Sequence, residues 1–459
     1  MSVALALLLL YSALQVALGL WIGRRVRGGG DFFVAGRGLS AGLIFSTFLA
    51  ANIGAGSTVG ATAIGWEHGL SAWWWNGSAA LGSLALAFWV GPRIWREAKA
   101  HGDLTVGDFL ERHYGRALRG LVAALIWLGT LSILAAQLIG IAAVLQVAGG
   151  VPPWAGYIIG ALVAVAYFVA GGLLSSAWVN RVQLLLILAG FAIVTPIALN
   201  LAGGYERIVA AHPEGFFGAD RAMGWRYLFI LGPAFIVSPG LLQRAFGAES
   251  ASALTKGVAL NGLVLLVFAF APAILGASAF LLYPDLASPK LALPTLISGA
   301  LPTWSATLAL AAVFSAEIST VDAVLFMLAT SGSRDLYAGF VNRQASDAQV
   351  VRMARTMAVV GAIAGIALSF VFESVESALQ TFYALLTVTM FVPVVAALHM
   401  RVNAHDGFAS VAAGVVTLGI VHLLTGGEGY DILTPALAGI LASACGFGAS
   451  TFLRRRSSI

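Results

Sequence analysis

Apolar runs of about twenty residues, the length that crosses a bilayer, recur along the whole chain, separated by short polar turns. They fall at 2–23, 39–65, 71–95, 117–149, 154–174, 178–202, 225–247, 255–283, 303–331, 352–372, 375–400, 408–425 and 432–453. The pattern predicts an all-α polytopic membrane protein of thirteen transmembrane helices in a single domain, residues 1–459. The second run is long and rich in glycine, which predicts a broken helix. The loop 96–119 reads as a short amphipathic segment, and the loop 203–224 is polar with room for a short helix.

Composition narrows the class. Hydrophobic residues make up 59% of the chain and charged residues 10%, whereas soluble domains carry roughly a quarter charged residues. Such a chain needs lipid as its main solvent. Basic residues lie at the ends of the apolar runs, so topology rather than nucleic acid explains the net charge of +5. With the N-terminus outside and the C-terminus cytoplasmic, the inside loops hold all of the 25 Lys and Arg except Arg207, Arg221, Arg226 and Lys290. That asymmetry follows the positive-inside rule and favours an odd span count. Arg24, Arg25 and Arg27 follow the first apolar run instead of preceding it, which is the reverse of a signal peptide. Cys445 is the single cysteine, so an internal disulfide is excluded and a cysteine-based metal site is disfavoured. No Walker A or HExxH motif is present.

Polar groups inside hydrocarbon are costly and mark functional sites. Two segments stand out. In the second run, Ala50-Ala51-Asn52-Ile53-Gly54-Ala55-Gly56-Ser57-Thr58 weakens the helix. A break there frees carbonyl oxygens suited to a hard cation. Glycines packed against a neighbouring helix account for the spacing equally well. In the ninth run, Ser315-Ala316-Glu317-Ile318-Ser319-Thr320-Val321-Asp322 places two carboxylates and three hydroxyls mid-helix. Ser315, Ser319 and Asp322 share one face, and Glu317 and Thr320 an adjoining one. Hydroxyls bonding back to their own helix are ordinary; a buried carboxylate must be paired, hydrated, cation-bound or protonated. Elsewhere, Gln137 and Gln146 read as links between helices, and Trp73-Trp74-Trp75 as an interfacial aromatic belt.

At these segments the chain resembles the solute:sodium symporter family. The motifs that carry the resemblance are Asp31-Phe32-Phe33-Val34-Ala35-Gly36-Arg37, Gly171-Gly172 with Trp178-Val179-Asn180 and Gln183, Ser238-Pro239-Gly240 with Gln243-Arg244, and Ser319-Thr320-Val321-Asp322 with Arg334-Asp335-Leu336-Tyr337. They span roughly residues 5–400. The resemblance implies a five-plus-five inverted repeat over 39–202 and 225–400, with one extra helix at 2–23 and two at 408–453. It implies a Na⁺ site made by the carbonyls of Ala50, Ile53 and Ala316 and the hydroxyls of Ser319 and Thr320. It also implies a solute near the midplane, with Asn52, Ser57, Thr58, Asn76 and Phe235 as candidate contacts. No Arg or Lys is expected at that depth to clamp a carboxylate. Some members hold a second Na⁺ with an Asp where this chain has Asn180; here the acid is Asp322, on the opposite helix, expected to tune the one site or to titrate.

The function so implied is sodium-coupled symport of a small organic solute into a bacterial cell across its inner membrane. Na⁺, the solute and the lipid are the partners, with no organic cofactor, no nucleic acid and no enzyme activity. The alternatives are proton coupling through Asp322 or Glu317, and a solute sensor acting through a separate signalling partner.

Overall fold

The computed structural model describes residues 3–24, 29–213, 215–218 and 222–457. Arg25, Arg27 and Arg221 of the charge pattern lie outside the described residues. Among the described residues the chain is helical throughout, with two isolated β-bridges and no sheet. The helices are α1 Val3–Gly23, α2 Gly29–Val34, α3 Ala41–Asn52, α4 Ala61–His68, α5 Trp73–Ala85, α6 Gly91–His101, α7 Val106–Tyr114, α8 Arg116–Gly149, α9 Pro153–Leu201, α10 Tyr205–Ala211, α11 Met223–Val237, α12 Pro239–Phe246, α13 Ala251–Phe268, α14 Phe270–Leu282, α15 Ala292–Ala300, α16 Thr303–Thr330, α17 Asp347–Leu368, α18 Val375–His399, α19 Ala404–Thr425 and α20 Pro435–Ser457.

Ten of the described helices, some joined end to end, are long and apolar enough to cross a membrane. An eleventh candidate is the bent pair Ala41–Asn52 and Gly56–His101, and Pro153–Ala166 is a shorter apolar helix. The long α9 covers the fifth and sixth predicted runs. It is interrupted at Gly172 (φ 54°, ψ −143°), a conformation open essentially to glycine alone. A Cβ at Gly172 would approach the ring and the carbonyl oxygen of Phe32 to 2.7 Å, so two of the motifs that carry the family resemblance meet there.

Burial separates the helices into a centre and a rim. The best apolar windows of α8 and of Thr303–Val341 are 94% and 89% buried, whereas those of α19 and α20 bury 22% and 28%. The helix bearing the Ser/Thr/Asp pattern is therefore at the centre, packed against α9, α8, α17 and α3.

The predicted break in the second run is present. α3 ends at Ile53 (φ −97°, ψ 89°), and the chain resumes in a π-helical turn, Gly56–Gly60, before α4. The axes on either side bend by 61°. A second break separates α11 from α12 at Ser238 (φ −52°, ψ 123°). Pro239 opens α12, where its missing N–H costs nothing.

The loop helices are also present. α7 is amphipathic and starts at a capping box between Thr105 and Asp108, an arrangement that satisfies two helix-end N–H groups. α10 occupies the start of the second polar loop. The tryptophan run departs from expectation. Trp73 and Trp74 pack with Phe216, and Trp75 is buried with its ring 5.1 Å from Tyr227. Trp75 thus belongs to the protein interior, because α5 turns it toward α11, whereas Trp73 and Trp74 are half-buried.

Candidate functional site

The break exposes the end of α3 to the middle of α16. Ser319 Oγ lies 2.8 Å from the carbonyl oxygen of Ala50 and 2.9 Å from that of Ala316. Thr320 Oγ1 is 3.4 Å from Ala50 O and 3.3 Å from Ala51 O. Ile53 sits in the break itself, fully buried. Four of the five expected oxygen donors thus converge within hydrogen-bond distances. Glycine at 54 is required for that approach: a Cβ there would overlap Thr320 Oγ1 and Gln137 Oε1. The N–H of Ala55, freed by the break, donates to Gln137 Oε1 at 2.7 Å. Gln137 therefore satisfies the broken helix, as a buried polar group must. Ser315 turns elsewhere, 2.6 Å from the Tyr11 hydroxyl of α1.

A cavity opens beside this point. Asn52, Phe235, Thr320, Ser238, Arg244 and Tyr383 are among its lining residues. Of the expected solute contacts, Asn52 and Phe235 therefore face one space. The other three are engaged in holding the break. Ser57 Oγ donates to Asn52 O at 2.5 Å, Asn76 Nδ2 donates to Ser57 O at 3.0 Å, and Thr58 Oγ1 lies 2.9 Å from Gly54 O. Asn52 itself donates from Nδ2 to Asn261 Oδ1 at 3.1 Å. The Tyr383 ring packs tilted against Phe235, with centroids 5.6 Å apart. Nothing in its surroundings, Thr381-Phe382-Tyr383-Ala384, distinguishes it in the sequence from other aromatic residues of the membrane helices.

The expectation that no basic side chain reaches this depth is corrected. Arg244 is fully buried and lines the cavity. α12 packs against α3, α6 and α16, which brings this side chain to the cavity. Its Nη1 donates to Gly240 O at 2.8 Å and its Nε to Thr47 Oγ1 at 3.2 Å. Asn180 Nδ2 donates to the same hydroxyl at 3.4 Å. Asp322 accepts from Ser176, one helical turn before Asn180. Asp322 and Asn180 thus belong to one buried polar cluster with Arg244 and Thr47, without a hydrogen bond between them.

A second polar cluster closes the end of the bundle where α7 and α8 begin. Arg119 pairs with Asp108 at 2.9 Å, Glu111 at 2.5 Å and Asp335 at 2.8 Å. Thr105 Oγ1 donates to Asp335 at 2.7 Å. Arg112 joins Glu97 and Asp103, each at 2.5 Å. Burial nonetheless pushes the Asp103 carboxyl above its ordinary range, against the lowering effect of Arg112. Arg37 donates to the carbonyls of Asp103 (2.7 Å) and Phe246 (3.2 Å), which ties α12 to the loop ahead of α7.

A buried helix broken at an oxygen-rich contact, beside a cavity within a membrane-spanning bundle, defines a multi-pass helical transporter fold. Solved structures agree. A Na⁺-coupled sialic acid symporter, solved substrate-bound and outward-open, superposes with a TM-score of 0.84 at 18% identity, covering 98% of this chain and 97% of that one. Residues 32–414 match the sodium:solute symporter family, and the chain belongs to it. Among curated relatives, the symporter YidK of Escherichia coli is 25% identical over 354 residues, 71% of this chain and 60% of that protein. The sodium/glucose cotransporter of Vibrio parahaemolyticus is 24% identical over 400 residues, 77% of this chain and 72% of that one. The chain thus spans less than two thirds of the first of these relatives and somewhat more of the second.

Proposed function

We propose that this protein couples the inward movement of Na⁺ to the import of a small organic solute. The observation that carries this reading is the meeting of Ser319 and Thr320 with the carbonyls at the broken end of α3. Ala50, Ile53, Ala316, Ser319 and Thr320 then supply five oxygens of the kind a hard cation takes. Na⁺ is cargo there, so its binding must be reversible. An ion shared by α3 and α16 holds the two helices together, and its departure lets them part. That gives alternating access a physical basis.

The solute occupies the cavity at Asn52 and Phe235, with Tyr383 closing against it and Ser57, Thr58 and Asn76 holding the break in shape. Asp322, on the same helix as the ion site, tunes it through the cluster it shares with Asn180, Thr47 and Arg244. The chain crosses the bacterial inner membrane thirteen times, α9 counting twice and the stretch from α3 to α6 counting twice, once as the broken helix α3–α4 and once as α5–α6. Its N-terminus is outside and its C-terminus inside. Residues 39–202 and 225–400 form the two inverted repeats.

The test is a thermal-stability screen of the purified protein against a panel of small solutes, in Na⁺ and in K⁺. A solute that stabilises only with Na⁺ is then carried into proteoliposome uptake under a Na⁺ gradient. Uptake driven by a pH gradient and indifferent to Na⁺ would overturn the proposal.

A further inference from the structure

A second group of oxygens lies on the other side of the same break. Glu317 precedes Ser319 by two positions and is fully buried. Its Oε1 stands 2.7 Å from Thr58 Oγ1. That hydroxyl is 2.9 Å from Gly54 O. Carboxylate, hydroxyl and carbonyl thus form a connected group on three elements: α16, the π-helical turn and the break itself. Adjacent ligands of one hard cation, at metal–oxygen distances of about 2.3–2.6 Å, stand about 3 Å apart, and the Thr58 hydroxyl stands at such distances from both of the others.

The remaining carboxylate oxygen, Oε2, meets no hydrogen-bond donor among the described residues. Nor does any described Lys, Arg or His form an ion pair with Glu317. The facing helix comes close at this oxygen: α8 carries Gly140 there, and a Cβ on it would come within 2.9 Å of Oε2. A buried carboxylate with one oxygen left unsatisfied is costly. A small cation seated among these oxygens removes that cost.

We propose that Glu317, Thr58 and the Gly54 carbonyl bind a second monovalent cation, Na⁺, distinct from the ion at Ser319 and Thr320. The inference rests on the sodium-coupled reading above. It gives α16 a grip on both halves of the broken helix. Ser319 and Thr320 hold the end of α3 through one ion, and Glu317 holds the resumed half through another. Two positive charges then enter per cycle. Each is worth roughly 50-fold in solute accumulation at 100 mV, so the second ion multiplies the attainable gradient by the same factor.

The experiment needs no solute, because the probe is Na⁺ itself. Radioactive sodium binding is measured on the full-length protein in lipid nanodiscs, for the wild type and for Glu317→Gln, Thr58→Val and Ser319→Ala. The wild type is expected to bind two ions per chain. Glu317→Gln and Thr58→Val should each bind one, and Ser319→Ala should retain the Glu317-dependent ion. The ion kept by Glu317→Gln also shows that this variant is folded. One ion in the wild type, unaffected by Glu317→Gln but lost in Ser319→Ala, overturns the second site and leaves the first intact. It would mean that Glu317 carries a proton instead. No Na⁺ binding in the wild type overturns both sites.

Discussion

Replacing Ser319 with alanine tests the ion site most directly. Its hydroxyl stands 2.8 Å from Ala50 O and 2.9 Å from Ala316 O, so any cation shared by those carbonyls must also touch it. The substitution removes one of five proposed oxygens and adds no bulk. A polar contact to a charged partner contributes about 1.5–3 kcal/mol, and about 1.4 kcal/mol is a factor of ten. The Na⁺ dissociation constant should therefore rise about 10- to 150-fold. Without ion, the loss is that of an ordinary hydrogen bond, about 1 kcal/mol, so the protein should still fold. Thr320 stands farther from its carbonyls, at 3.3 and 3.4 Å. Thr320→Ala should therefore weaken binding less than Ser319→Ala, and Ser319→Thr should restore most of the affinity. Competition binding with radioactive sodium reads all three in parallel. If Ser319→Ala binds Na⁺ as the wild type does, or if Thr320→Ala is the more damaging change, the assignment is wrong.

Other substitutions probe what holds the site in place. Gly54→Ala should abolish Na⁺-dependent stabilisation while the protein still inserts, because its Cβ overlaps Thr320 Oγ1 and Gln137 Oε1; melting with and without Na⁺ measures this. Arg119→Met strips Asp335 and Asp108 of a cation at 2.8 and 2.9 Å. Breaking such a buried pair costs about 3–5 kcal/mol. Adding Asp335→Asn should recover part of the lost thermal stability, and no recovery would argue against the pairing. Gly172→Ala forces a side chain into a positive-φ conformation and against Phe32. A loss of about 1–3 kcal/mol or more is expected, and Phe32→Ala should not restore it, since the Phe32 carbonyl oxygen is equally close.

Much of the site was legible in the letters. A Ser/Thr/Asp pattern on an apolar helix and a glycine run in another are rare enough in hydrocarbon to mark two segments independently, and the fold brings those two together. The reason is periodicity and cost: helical spacing orders the side chains on a face, and lipid penalises polar groups without a use. Ser57, Thr58 and Asn76 were expected as solute contacts, and the structure engages them in hydrogen bonds around the break. Their orientation was not legible, because a polar side chain in a kinked segment serves the kink or the cavity with equal ease. Tyr383 left no local mark at all, since it reaches the cavity from a helix more than a hundred residues away from the break.

The sequence by itself determined the solvent of this protein, the spacing of its helices and the bias of its charges. Each of these depends on composition summed along the chain, which no fold can alter. It also marked the glycine-rich stretch around Gly54 as a place where a helix gives way, because backbone freedom is a local property; the interruption at Gly172 came from the structure. Only the tertiary structure decided which broken end meets which helix. It placed Arg244 beside the cavity by packing α12 against α3 and α16, and it put Glu317 against Thr58 while Ser319 faces Ala50. Such pairings join residues more than two hundred positions apart, and no period in the sequence encodes them. They arise when buried polar groups on different helices find the partners that water would otherwise have supplied.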